Sequence, residues 1–206
     1  MQIKILPSES VTFLGMKGSG KTSMEKFLIN ATRPTGTRRV IIQDTKQVGD
    51  FNEYPSVSEL KDLHKIVAEN PISVYAPNKF EKYDPEFHES LYTWVFDRWN
   101  TCIVIDELTS IVQGNKTPPA YRDLTDRGRA RHVSIWQGNQ KPIYIPHAAL
   151  SEADHFFVFD LLVKEDREKI ASILGKKVMT RPPDPHGFWY YHKSLKDPVY
   201  YPGLKL

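Results

Sequence analysis

The chain has 206 residues, of which 40% are hydrophobic and 26% charged, and a formal net charge of +3. That length suffices for one domain with a full hydrophobic core, and the composition excludes a disordered, collagen-like or disulfide-scaffold protein. The mild positive charge is compatible with nucleic acid without arguing for it. The one cysteine, Cys102, allows no internal disulfide and reads as a small core residue. No apolar run approaches the roughly 18 residues of a membrane span. Met1-Gln2-Ile3-Lys4-Ile5-Leu6-Pro7 is too short for a signal peptide and is broken by proline, so a cytoplasmic protein with no membrane span is expected.

Residues 1–10 read as a lead-in, with Ile3 and Ile5 suggesting a short edge strand. Val11-Thr12-Phe13-Leu14 forms the first core strand. It feeds Gly15-Met16-Lys17-Gly18-Ser19-Gly20-Lys21-Thr22, which fits the phosphate-loop pattern G-x-x-x-x-G-K-[ST], and a helix is predicted over 22–30. Chemistry accounts for the residue types. Glycines let successive backbone N–H groups turn around a polyphosphate, and the helix behind them presents its positive end to the same anion. Gly15, Lys17, Gly18, Ser19, Gly20, Lys21, Thr22 and Ser23 are therefore the candidate nucleotide-binding residues. Lys21 would reach the β- and γ-phosphates, and the Thr22 hydroxyl would ligate Mg²⁺. ATP and Mg²⁺ are the expected nucleotide and metal.

The second strand, Arg39-Val40-Ile41-Ile42-Gln43, is an apolar run of the kind needed by a sheet covered on both faces. Asp44 and Lys46 follow at its carboxyl end. In open α/β sheets such ends line the ligand crevice, so the two either face the nucleotide or polymer or form an ordinary polar turn. A helix over 58–69 buries Leu60, Leu63, Ile66 and Val67, with Ser58 as its cap. A strand over 72–76 follows, then a helix over 85–99 with Pro85 in its first turn. Thr101-Cys102-Ile103-Val104-Ile105-Asp106-Glu107 has the Walker B pattern. Asp106 would hold the Mg²⁺ and its water shell, and Glu107 would polarise the attacking water. A phosphotransferase has no need of that second acid; a hydrolase does.

The polar loop 113–119, with Lys116 its cation, is either a polymer contact or an uninvolved surface. A helix over 121–130 carries Arg122, Arg127 and Arg129, with Arg131 just after. Three arginines within five residues are too many for one local acidic partner, though Asp123 and Asp126 could take some of the charge. A strand over 133–136 leads to the polar stretch 137–142, where a side-chain amide can sense the γ-phosphate or position water. A strand over 155–160, a helix over 164–174 closed by Gly175, and a hairpin of 188–192 with 199–201 complete the chain. The hairpin aromatics either cover the sheet edge or stack bases. The seven histidines show no metal-ligand spacing.

The stretch Gly128-Arg129-Ala130-Arg131-His132-Val133-Ser134-Ile135-Trp136-Gln137-Gly138-Asn139-Gln140-Lys141-Pro142 resembles the FtsK–HerA superfamily of DNA-pumping ATPases. Those show a Gly-Arg pair, a short apolar strand, then Ala-Thr-Gln-Arg-Pro. Here Asn139 replaces the threonine, and Lys141-Pro142 replaces Arg-Pro. The resemblance spans residues 11–160 and makes Gln140 the sensor glutamine and Arg129 the arginine offered to a neighbouring subunit, beside Glu107 as the third catalytic residue. The expected fold is a three-layer α/β P-loop NTPase sandwich, a mostly parallel RecA/ASCE-like sheet with helices on both faces. Residues 1–206 would be one ATPase domain, with 187–206 a C-terminal hairpin or tail.

The resemblance implies an ATP-hydrolysing motor that moves double-stranded DNA, as in viral genome packaging. It would work as a homo-oligomeric ring, a pentamer or hexamer, partnered by a capsid vertex or other packaging proteins, in host cytoplasm or virion. The alternatives are a nucleotide or nucleoside kinase, opposed by Glu107 and Gln140, and an ATPase of filamentous-phage assembly or secretion, which would usually carry a membrane segment.

Overall fold

A computed structural model describes residues 3–32, 38–112 and 117–203. Its framework is a nine-stranded sheet in the order β3-β4-β2-β5-β6-β1-β7-β8-β9. The strands are β1 (Val11–Leu14), β2 (Arg39–Gln43), β3 (Ser56–Val57), β4 (Ile72–Tyr75), β5 (Thr101–Ile105), β6 (Ser134–Asn139), β7 (His155–Val158), β8 (Phe188–His192) and β9 (Val199–Tyr201). The strands β3 to β7 in that order pair in parallel, and β7-β8-β9 close the far edge antiparallel. Among the described residues the α-helices are α1 (Lys21–Ala31), α2 (Leu60–Glu69), α3 (Pro85–Arg98), α4 (Pro119–Arg127), α5 (His147–Ser151) and α6 (Lys164–Leu174).

Apolar side chains alternate between the two faces of the central strands and build a core on each side. On one face Leu14, Ile41, Ile103, Ile105, Ile135 and Phe156 pack against α2 to α6. On the other, Phe13, Ile42, Cys102, Val104, Trp136 and Phe157 pack against α1 and Phe51. The expected sheet with helices on both faces is present; among the described residues, α2 to α6 pack on one side and α1 on the other.

Several local expectations change. Ile3 and Ile5 form no strand; they pack as partly buried apolar residues against the α1-side core. Ser58 does not cap α2. The Leu60 amide instead donates to Glu81 Oε2 (2.9 Å), which also accepts from the buried Tyr75 hydroxyl (2.6 Å). A carboxylate brought from a later loop does the work of the local cap. By contrast α3 is capped as its sequence suggests, with Pro85 in its first turn and Asp84 Oδ1 accepting from the Glu86 amide (2.9 Å). β6 runs to Asn139, so Gln137 lies inside the sheet: its amide bonds Thr12, the Ala149 carbonyl and the Tyr121 hydroxyl. The hairpin aromatics stay with the fold: Phe188 stacks on Tyr201 (5.5 Å between centroids), and Trp189 and Tyr191 pack on the core.

Candidate nucleotide-binding site

The parallel strands end along one edge of the sheet, and the candidate residues of the phosphate loop, β2, β5 and β6 collect there. The loop between β1 and α1 is held at both flanks. The Gly15 amide donates to the Asn139 carbonyl at the end of β6 (3.2 Å), and the Met16 amide to the Asp160 carbonyl beyond β7 (2.8 Å). Gly20 caps α1 at φ 103°, a left-handed conformation that an L side chain resists. Lys21 is buried, and its ammonium donates to the carbonyls of Gly15 (2.6 Å) and Met16 (2.9 Å). Lys17, Gly18 and Ser23 are exposed, Thr22 is partly buried, and Ser19 is buried with an unpartnered hydroxyl.

Behind the loop lies a cluster of charge. Asp106 follows β5, and its amide donates to the Gln43 carbonyl (3.2 Å). Lys46 reaches it from the end of β2, with Nζ 2.8 Å from Asp106 Oδ1 and 3.6 Å from Glu107 Oε2. Burial disfavours the Lys46 charge, but Asp106 and then Glu107 more than offset it and hold Lys46 above the ordinary lysine value. Burial pushes Asp106 up against the pull of Lys46. Burial, and then the charge of Lys46, lowers Lys21. Of the two residues expected at the end of β2, Lys46 thus enters the cluster, while Asp44 accepts the Gln47 amide (2.8 Å) as a turn residue would.

Because β6 lies between β1 and β5, its carboxyl end delivers Gln140 beside the two acids. Gln140 Nε2 donates to Glu107 Oε2 (2.9 Å) and the Gln140 amide to Glu107 Oε1 (3.2 Å); Thr109 donates to Oε1 as well (3.0 Å). Glu107 is therefore fixed in orientation by three hydrogen bonds.

The sequence reading passed over Glu25. It lies on α1 one turn after Thr22, fully buried beside Asp106, and neither of its carboxylate oxygens has a partner. Desolvation, reinforced by Asp106, raises it from 4.5 to about 8, so it is mostly protonated at neutral pH. Asp106 Oδ2, Ser19 Oγ and Asn139 Nδ2 are likewise buried without partners. Such orphaned polar atoms around an oxygen-rich cluster fit a hard divalent cation held through Asp106 and Thr22, with phosphate in the loop. Also unsignalled in sequence are Arg181, which forks onto Asp160 beside the loop, and His186, which packs over Gly20. Both come from the stretch before β8, far along the chain, with no motif to mark them.

The arginines lie elsewhere. Arg129 sits in a 3-10 turn, Gly128–Arg131, before the amino end of β6, so the length of a six-residue strand, about 20 Å, separates it from the phosphate-loop edge. Each arginine has its own acidic partner: Arg127 pairs with Asp123 (3.2 Å), Arg129 with the buried Asp154, and Arg131 with Asp97 (2.8 Å). One local acid, Asp123, takes only Arg127; Arg129 and Arg131 are met by Asp154 and Asp97, which come from other elements. Arg131 also lies over the Phe96 ring (3.9 Å), and Arg129 and Arg127 remain more than half exposed. Lys116 lies outside the described residues. Among the described residues no helix is long and apolar enough to cross a membrane.

No family model and no curated protein matches the chain. Solved structures do. The genome packaging NTPase B204 of Sulfolobus turreted icosahedral virus 2, in complex with ATP-gammaS, is 18% identical with a TM-score of 0.78, over 97% of this chain and 100% of that one. B204, the DNA-packaging ATPase of Sulfolobus turreted icosahedral virus, is 15% identical with a TM-score of 0.76, over the same shares. EssC (ATPases 2 and 3) of Geobacillus thermodenitrificans is 9% identical with a TM-score of 0.62, over 94% of this chain and 39% of that one. The chain shares its mostly parallel α/β fold with these genome packaging NTPases and with EssC.

Proposed function

We propose that this protein is an ATP-hydrolysing motor that moves double-stranded DNA, packaging a viral genome as a ring of identical subunits. The observation that carries the hydrolytic reading is the Glu107 carboxylate, next to Asp106 and gripped by Gln140. A kinase excludes water and lets its acceptor attack; a carboxylate held at this position serves a water nucleophile. The packaging reading rests on the extent of the fold likeness, 97% of this chain against all of a genome packaging NTPase.

The residues divide the work. The loop amides and the amino end of α1 cradle the phosphates. Lys21 exchanges its bonds with the Gly15 and Met16 carbonyls for the β- and γ-phosphates. Lys46, paired with Asp106 in the free chain, would have to release it for Asp106 to serve as a cation ligand. Thr22 and Asp106 would hold Mg²⁺, which would supply neutralisation of the phosphate charge. Glu107 accepts the proton of the attacking water. Gln140 bridges this base to β6, so a change at the γ-phosphate is felt along the strand whose other end carries the Arg129 turn. Arg129 is too far from its own loop to act in cis, and its exposure suits a role on the neighbouring subunit's nucleotide.

Two assays separate this from the kinase reading. The motor predicts ATP-dependent displacement of a third strand from duplex DNA and no phosphate transfer to nucleoside monophosphates. Phosphorylated monophosphate with no strand displacement would replace the motor by a kinase.

A further inference from the structure

Three side chains from distant parts of the chain meet at the amino edge of the sheet, the end away from the phosphate loop. Glu9 precedes β1, His155 opens β7, and His192 ends the antiparallel β8. We propose that Glu9, His155 and His192 bind one zinc-class divalent cation. This site is separate from the nucleotide site, and nothing in the argument for ATP hydrolysis depends on it.

The geometry is close to that of a metal centre. One ligand atom from each residue lies within 4.8 Å of the others. His155 Nε2 is 2.9 Å from Glu9 Oε2, and His192 Nε2 is 3.7 Å from Glu9 Oε1. Tetrahedral zinc with bonds of about 2.0–2.1 Å needs ligand atoms about 3.4 Å apart, which these two distances bracket. The imidazole rings lie 4.5 Å apart.

The outer contacts are those that orient ligands. His155 Nδ1 is 2.9 Å from the Tyr190 hydroxyl, and His192 Nδ1 is 2.7 Å from Ser194 Oγ, so on each ring Nε2 is the nitrogen turned to the cluster. The Leu6 amide donates to Glu9 Oε2 (2.7 Å) and fixes the carboxylate. A Glu–His hydrogen bond alone accounts for His155. It leaves His192 Nε2 buried, facing Glu9 and without a hydrogen-bond partner. A shared cation satisfies it.

Two imidazoles and one carboxylate select zinc over Mg²⁺ or Ca²⁺, which prefer all-oxygen sites. The neighbouring acid, Asp154, is already committed to Arg129, Lys193 and the Ser10 amide. With three protein ligands a fourth position stays open to water. Local spacing could not reveal the site, because 146 residues separate Glu9 from His155.

The test is calorimetric titration of zinc chloride into the full chain, stripped with chelator and free of nucleotide. One tight equivalent per chain is expected. His192→Ala should weaken it by more than about 100-fold, beyond the usual range for losing an outer-sphere contact. Asp106→Asn should leave it unchanged. Zinc that follows Asp106→Asn and ignores His192→Ala, or no tight zinc in the unaltered chain, overturns the proposal. Should His192→Ala fail to fold, X-ray absorption on the zinc-loaded unaltered chain decides: two imidazole ligands are expected, and fewer than two overturn it.

Discussion

Glu25 gives the sharpest quantitative prediction. Its carboxyl is walled in by α1, Asp106 and β6, so closely that a Cβ on Gly138 would stand 2.7 Å from Glu25 Oε1 and 2.5 Å from the Asp106 carbonyl. Burial and the Asp106 charge raise it from 4.5 to about 8 in the folded chain. Between those values the native state holds a proton that the unfolded chain has released, so stability falls as pH rises through the window and levels off above it. With each unit equivalent to about 1.4 kcal/mol, the whole window is worth at most about 5 kcal/mol. The part between about pH 6 and pH 8 is roughly 2 kcal/mol, or roughly 4–8 °C in Tm for a chain of this size. Glu25→Gln keeps the shape and removes the titration. Thermal unfolding of the nucleotide- and metal-free proteins, followed by circular dichroism at both pH values, should show the unaltered chain losing that much more stability than the variant. Equal pH dependence in the two proteins would refute the buried, unpartnered carboxyl.

The other predictions concern the site. Lys21→Ala should abolish ATP turnover with little change in Tm, because its ammonium bonds only two loop carbonyls; retained turnover would remove the phosphate-loop assignment. Glu107→Gln should lower turnover by about 10²-fold or more while ATP affinity persists. Gln140→Ala should lower kcat less, with KM unchanged, since Thr109 still holds the base; an equal loss of ATP affinity in either variant would make the pair a binding element. Arg129→Ala should fold, because the buried Asp154 keeps Lys193 and the Ser10 amide. Its turnover should fall on the order of 10³-fold and partly return on mixing with Lys21→Ala, which still donates Arg129 to an intact neighbouring loop. No recovery in co-assembled mixtures would point to Arg127 instead.

The phosphate loop and the Asp106-Glu107 strand could be read in sequence because each is a contiguous segment whose chemistry fixes its spacing. β2, β8 and β9 were legible for a related reason, as apolar runs ended by polar residues, and α6 by the glycine that closes it, Gly175 at φ 97°. What escaped depends on contacts between distant segments. Glu81 caps α2 from a later loop, so Ser58 was the natural misreading. Glu25 looks like any helical glutamate until β5 and β6 pack over it. Lys46 could be placed at a strand end, but only the β2–β5 pairing sets it against Asp106. Asp154 and Asp97, the partners of Arg129 and Arg131, are likewise supplied by topology rather than by the arginine helix.

The most direct test of the central claim is steady-state ATP hydrolysis by the full chain, with and without double-stranded DNA, across protein concentration. A motor completed by a neighbour's Arg129 predicts specific activity that rises steeply with concentration. It also predicts stimulation by DNA of any sequence and loss of that stimulation as salt is raised. Hydrolysis that is independent of concentration and indifferent to DNA would contradict it.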